Sequence, residues 1–418
     1  MLPPNLHVAH VVRKLEPSAW GGTETHVAAV TSRMAAHGVS TSVYAPRSPG
    51  AAAGDIRVPI HWYDALTPYV GPAAARAALR SRSGNLISLD LPLKLMADRS
   101  LSIAHVHTAG RLAGAVRLAM RTRGLPYVLS VHGPLFADEK VVQDDMSRLG
   151  QGVIDVGQPF GLITGSRRVF DDATRVICFN EAERAALENR IGHRAVRMDH
   201  GVDTDAIRAG DADRAKQRWG WLRRGPVVMV VGRLCEQKNQ VFAVRAFALG
   251  APEDHQLVFV GAETDAGYRE KIISEAWACG VADRVWFNGQ VSKDQVADLL
   301  AAATLVMAPS VHEAFGISVI EGWAARVPVL VGLSSGTRDL VHRLGMNVTG
   351  IDGFDDRAWA TRLGTLLAVS GLRAAIVEAG TRLVDRELSW AAVASKLRDL
   401  YVEVASENQA NQWGARAR

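Results

Sequence analysis

The chain is poor in cysteine: Cys178, Cys235 and Cys279 are its only three, far apart and without CxxC spacing. So odd and scattered a set excludes a disulfide framework or a zinc ribbon and fits a reducing compartment. Long hydrophobic runs are missing too, since no apolar stretch approaches the ~18 to 20 residues that span a bilayer. The opening MLPPNLHVAHVVRKLEP has no charged leader followed by a long apolar segment, because Leu6 to Val12 alternates like a first strand. No secretion is expected, and the expected location is the cytoplasm. Excess charge of one sign is also absent: the net charge is +5, carried mostly by dispersed arginines. No basic block is interleaved with aromatics, so nucleic acid is not an expected partner.

What the chain does have is apolar residues in quantity. At 48% hydrophobic and 22% charged it is globular, and 418 residues exceed one ordinary core, which points to two large domains. Short β-branched runs alternate with helical patterns throughout. The first half reads LHVAHVV, a helix over 23–37, STSVYAP, IAHVH, a helix over 112–121, YVLSV, RVICF and a helix over 181–190. The pattern restarts with VVMVV, then QLVFVG, RVWFNG, TLVMAPS and PVLVG, separated by helices over 240–249, 268–278, 292–302 and 317–326. Such alternation predicts parallel sheets covered by helices, hence an α/β protein with two Rossmann-like units. A polar joint over about 203–225 divides them, giving expected domains 1–205 and 206–388, with a final amphipathic helix and tail over 389–418.

In open parallel sheets ligands bind outside the carboxyl ends of the strands, so the residues just after each apolar run carry the functional information. After the first strand comes WGGTETHV, with Gly21 and Gly22 opening a helix whose N–H groups can meet an anion. His132 follows YVLSV. Arg233 and Lys238 lie in GRLCEQKN after VVMVV, where a phosphate clamp and a solvated loop are the two readings. Gly261 follows LVFV. After TLVMAPS come His312 and Glu313, and Glu321 follows Glu313 by eight positions. Glu321 can also be read as a carboxylate complementing a helix dipole. Asp203-Thr204-Asp205 is a literal Asp-x-Asp, but its place in the joint predicts capping rather than metal binding. His105, His107 and His132 lack further ligands at zinc spacing, so no metal site is expected.

The stretches VGRLCEQKN, LVFVGAE, HGVDTD and VWFNGQVSKDQVADLLAAATLVMAPSVHEAFGISVIEGWAARVPVLVG resemble the GT-B-fold, group 1 (family 4) nucleotide-sugar glycosyltransferases. GGTETHV, PYVLSVHG and ICFNEAERAAL match weaker signatures of that family. The resemblance implies two Rossmann-like domains facing across a cleft, with the C-terminal helix crossing back to the N-terminal domain. It implies a retaining hexosyltransferase using a nucleotide-diphosphate sugar and a sugar-bearing or small-molecule acceptor; with Arg233, Lys238 and a helix start to meet the diphosphate, neither a metal nor a cofactor is expected.

By the same resemblance Glu321 holds the ribose hydroxyls and Glu313 the transferred sugar. Arg233 and Lys238 bind the diphosphate, Gly22 brings its N–H toward it, and His132 touches the donor sugar. Backbone groups of Phe315, Gly316 and Ile317 surround sugar and phosphate, and the segment 286–291 borders the base. Catalytic roles are thus expected of His132, Glu313, Arg233 and Lys238. The long stretch 133–170, with Pro134, Phe136, Asp144, Asp145 and Phe160, is the candidate for acceptor contacts. Arg76, Arg80 and Arg82 flank an alanine-rich helix and leave a weak peripheral membrane contact at the inner face open. Three departures stand out: Asn239 where glycine often follows the lysine, Trp323 in EGWA, and Arg326-Val327 in a turn where the family commonly has glycine.

Overall fold

The computed structural model describes residues 6–17, 20–73, 75–76, 85–132 and 152–416. The chain divides into two compact units, one of residues 1–198 and 393–418, the other of residues 199–392.

The first unit is built on seven parallel strands in the order β3-β2-β1-β5-β6-β8-β9. They are β1 (His7–Val11), β2 (Ser40–Pro46), β3 (Ile60–Tyr63), β5 (Ile103–Val106), β6 (Tyr127–Ser130), β8 (Arg175–Cys178) and β9 (Ala195–Arg197). A two-stranded antiparallel ribbon, β4 (Tyr69–Val70) with β7 (Ile154–Asp155), stands apart from the sheet. The order reverses between β1 and β5, which marks the switch point where such sheets receive ligands. The strands are largely buried because helices cover both faces of a parallel sheet, and buried polar residues such as His10, Ser42, His105 and Ser130 stand among the apolar ones. Ala9, Val11, Ala104, Val106, Leu129 and Val176 all sit in one buried cluster with Leu112, Val116 and Met120 of the helix Arg111–Arg123.

The second unit has six parallel strands in the order β12-β11-β10-β13-β14-β15. These are β10 (Val227–Val231), β11 (Gln256–Val260), β12 (Val285–Gly289), β13 (Leu305–Ala308), β14 (Val329–Gly332) and β15 (Gly350–Ile351). Here the order reverses between β10 and β13. Phe242 and Phe247 of the helix Gln240–Gly250 pack with Trp359 and Leu363 of the helix Asp356–Ala368.

The helix Trp390–Arg416 closes the chain. Its start belongs to the second unit: Trp390 N–H donates to the Val202 carbonyl (3.2 Å), and its ring stacks obliquely on His200 at 4.9 Å. From Val393 onward the helix belongs to the first unit. There the Tyr401 hydroxyl lies 2.6 Å from His105 Nδ1, and Arg175 pairs with Glu403 (2.6 Å) and Glu407 (2.5 Å). The expected return of the C-terminal helix is thus present. Asp199 falls in the second unit because Arg343 grips its carboxylate at 2.6 Å.

Periodicity located the sheet strands of both units well, but it left β3, β9, β15 and the helices Asp90–Ala97, Ser335–Leu344, Asp356–Ala368 and Ser370–Leu383 unread. Among the described residues no single helix is long and apolar enough to cross a membrane.

Candidate active site

In the second unit the loops after β10 and β13 lie at the switch point and carry the predicted residues. Lys238 and Glu313 come together there as an ion pair, with the ammonium donating to Glu313 Oε1. Their side chains are 16% and 13% exposed, so the pair is mostly withdrawn from water. Two residues that sequence reasoning overlooked hold the loops in place. Gln237 Nε2 donates to the His312 carbonyl (3.0 Å), while Val311 N–H donates to the Gln237 carbonyl (2.9 Å). Buried Gln240 donates through Nε2 to the Arg233 carbonyl (2.7 Å). Arg233 is exposed, and its guanidinium donates to Gln237 Oε1 at 3.3 Å.

Glu313 is fixed from a third loop, after β14. Its N–H donates to Ser334 Oγ (3.2 Å) and its carbonyl accepts from Gly336 N–H (3.1 Å). The signal for these residues was available, since LSSG directly follows PVLVG at a strand's carboxyl end.

Local backbone explains the glycines here. A Cβ on Gly261 would lie 2.1 Å from the Gly232 carbonyl oxygen, so the ends of β10 and β11 close tightly only with glycine. Gly316 caps the helix Ile317–Ala324 at φ +100°, a conformation that L side chains rarely adopt. Phe315 beside it is buried, its ring 6.1 Å from that of His200.

Glu321 is the fifth residue of that helix, in its second turn, so pairing with the helix dipole does not account for it. Burial raises its carboxyl pKa to about 7, against the opposing pull of Lys238 and Lys293. By surface area Glu321 is partly exposed, and a carboxyl raised in this way beside Lys238 is a candidate for a functional role.

The family departures resolve physically. Asn239 takes φ +56° and Arg326 φ +61°, the left-handed region that glycine ordinarily fills and that asparagine tolerates. Trp323 is fully buried against Gly380, where a Cβ would come within 2.7 Å of the indole. Trp286 stacks on Trp221 (5.6 Å, 6°) and donates from Nε1 to Gln256 Oε1 (2.7 Å) near the start of its strand. Only the far end of the 286–291 segment therefore reaches the carboxyl edge of the sheet. Asp203 accepts from Ala206 N–H (3.1 Å) as the cap of the helix Thr204–Arg208, as its place in the joint predicts.

In the first unit Gly22 is the first residue of the helix Gly22–Met34. The preceding Gly21 N–H is taken by Glu24 Oε2 at 2.9 Å, so this helix start already carries a carboxylate. His132 follows β6, with its Nε2 3.0 Å from His107 Nδ1 and its ring 4.8 Å from Phe179. Pro134, Phe136, Asp144 and Asp145 lie outside the described residues, as do Arg80 and Arg82; Arg76 is exposed. The described part of the proposed acceptor stretch is not an open loop. It forms β7 and the helix Gln158–Thr164, with Phe160 packed on the core and Arg111 paired with Asp155 at 2.5 Å.

Two parallel Rossmann-like units, each with a switch point in its strand order and the last helix returning to the first unit, define the GT-B class. Residues 20–206 match the model of Glycosyltransferase Family 4, and residues 211–383 that of Glycosyl transferases group 1. The chain belongs to the GT-B glycosyltransferases of group 1. The D-inositol 3-phosphate glycosyltransferase of Salinispora tropica is 29% identical over 73% of this chain and 64% of its own length. That of Nocardioides is 25% identical over 93% of this chain and 86% of its own. The chain thus spans slightly under two thirds of the first of these relatives. Among solved structures, Anabaena HepE in complex with UDP superposes with a TM-score of 0.71 at 16% identity, covering 94% of this chain and 99% of that one. Sucrose-phosphate synthase of Thermosynechococcus elongatus gives 0.70 at 19%, over 96% and 100%.

Proposed function

We propose that the protein is a retaining, metal-independent glycosyltransferase. It moves a hexose-type sugar from a nucleotide-diphosphate donor to an acceptor hydroxyl, in glycan, polysaccharide or glycoconjugate assembly. One observation carries the reading: the mostly buried Lys238–Glu313 pair at the β10/β13 switch point, with Glu321 in the same electrostatic neighbourhood. Breaking a sugar–phosphate bond builds oxocarbenium character on the sugar and negative charge on the departing diphosphate. Preorganised cations and N–H donors at the diphosphate then supply the largest stabilisation. Lys238 gives a point charge, Arg233 a guanidinium fork, and the start of the helix Ile317–Ala324 its N–H groups. Glu313 holds the ammonium until the donor arrives and then serves the sugar hydroxyls, while Glu321 accepts from the ribose. His132 meets the donor sugar.

The UDP and UDP-glucose bound by HepE favour a uridine donor here. The relatives' name makes an inositol phosphate one acceptor to try. The test is product analysis with labelled UDP-, GDP- and ADP-sugars, with and without acceptors that include D-inositol 3-phosphate. Transfer with retained anomeric configuration supports the reading. Turnover to water or to an isomer makes the protein a hydrolase or epimerase, and binding without turnover makes it a nucleotide-sugar-binding partner subunit.

A further inference from the structure

The switch point of the first unit holds an arrangement that the transfer chemistry leaves unused. His10 on β1 and His105 on β5 are direct register partners, and His107 follows β5; the three are buried, at 0%, 0% and 4% exposure. A hydrogen-bonded chain runs through two of them to His132. His10 Nδ1 lies 2.9 Å from His107 Nε2, and His107 Nδ1 lies 3.0 Å from His132 Nε2. His105 stands beside the chain, with Tyr401 (2.6 Å) on one nitrogen and Ser130 (2.7 Å) on the other.

Burial lowers the pKa of His10 to about 3, and burial together with neighbouring imidazoles pushes that of His107 well down, so both rings are neutral. A neutral imidazole has one N–H and one lone pair. Both nitrogens of His107 are engaged, so it donates with one and accepts with the other. With His132 neutral as well, the tautomers of His10, His107 and His132 are locked together, and the chain has only two proton arrangements. Its buried end decides between them. Among the described residues His10 Nε2 has no hydrogen-bond partner, and a buried N–H left without an acceptor is among the rarest defects in folded proteins. The His10 proton therefore sits on Nδ1 and is donated to His107 Nε2. His107 then donates from Nδ1 to His132 Nε2, and His132 carries its own proton on Nδ1.

We propose that His10 and His107 are positioning residues that fix His132 as the Nδ1–H tautomer, a donor suited to an oxygen of the sugar or of the departing phosphate. The functional consequence rests on the reading of His132 as a donor-sugar contact; the tautomer coupling rests on the hydrogen-bond chain alone. The nitrogens of His10, His105 and His107 lie within 4.8 Å of one another, as a metal site would require. His105 has both nitrogens engaged by Tyr401 and Ser130, and His10 and His107 are bonded to each other, so the chain of neutral rings is the better account.

The test uses the full chain labelled with ¹⁵N-histidine and two-bond ¹H–¹⁵N correlation spectra, with His132 assigned by the signal lost in His132→Gln. The wild-type spectrum should show His132 as the Nδ1–H form. His10→Phe removes the donor to His107 and should populate both tautomers of His132. It should lower kcat about five- to tenfold, the worth of one hydrogen bond, with the Kd for nucleoside diphosphate unchanged. His10→Gln keeps a donor and should restore both the tautomer and most of the turnover. The proposal is overturned by an Nε2–H His132 in the wild type, which needs no variant to fold, by a His132 signal indifferent to His10→Phe, or by Zn²⁺ shifting the His10 and His107 signals at one equivalent. If the coupling appears but no sugar donor is turned over, the glycosyltransferase reading fails and the coupling stands.

Discussion

Replacing Lys238 by methionine tests the centre of the site, because it removes charge while keeping most of the side chain's packing. In the structure Lys238 is already paired, so its loss leaves Glu313 as an uncompensated carboxylate at 13% exposure. Breaking a fully buried pair costs about 3–5 kcal/mol and a surface pair about 1 or less; this exposure places Lys238→Met near 2–3 kcal/mol of stability in urea denaturation. Binding should then divide by ligand. Calorimetry with uridine should give wild-type affinity, whereas UDP should bind on the order of 10²-fold more weakly, since only UDP carries the charge that the ammonium meets. Turnover should fall further, about 10²- to 10³-fold, because the transition state places more charge on the diphosphate. The double variant Lys238→Met/Glu313→Gln should return to within about 1 kcal/mol of wild-type stability. It should also regain part of the UDP affinity without regaining turnover. Equal losses for uridine and UDP, or none for either, would refute the diphosphate assignment. A double variant as unstable as the two single changes added together would refute the coupling of the pair.

Glu321 sets a pH dependence. Its carboxyl titrates near pH 7 in the fold but near 4.5 when unfolded, so stability falls as pH rises through that window, by about 3 kcal/mol in all, and levels above it. Glu321→Gln should flatten that part of a melting-temperature profile, and an unchanged slope would show that Glu321 is not the group responsible. Glu321→Ala should chiefly weaken nucleotide binding, whereas Glu313→Gln should chiefly lower turnover; the reverse pattern in steady-state kinetics would exchange the two roles. Arg326→Gly, at φ +61° on an exposed turn, should raise stability by up to about 1 kcal/mol, and a clear loss in chemical denaturation would contradict the strain. Transfer should survive excess EDTA, and loss restored by Mg²⁺ or Mn²⁺ would end the metal-free reading.

Much of this was legible in the chain alone. Runs such as VVMVV and QLVFV are buried on both faces, and that demand on composition is local enough to reveal each strand, its carboxyl end and the loop that follows. Arg233, Lys238, Glu313 and Glu321 were singled out by that rule and by their likeness to a family. Pairing was not legible. Lys238 and Glu313 are 75 residues apart, and only the parallel pairing of β10 with β13 sets their loops side by side. The grip of Gln237, Ser334 and Gly336 on those loops depends on the same juxtaposition. Asn239 and Arg326 read as departures until their positive φ showed them in the conformation that glycine would supply. The histidine chain is the clearest case. His10, His107 and His132 are dispersed over three strand ends with no ligand-like spacing, and only the strand order β1-β5-β6, set by which apolar faces the helices can cover, brings their nitrogens within hydrogen-bonding distance.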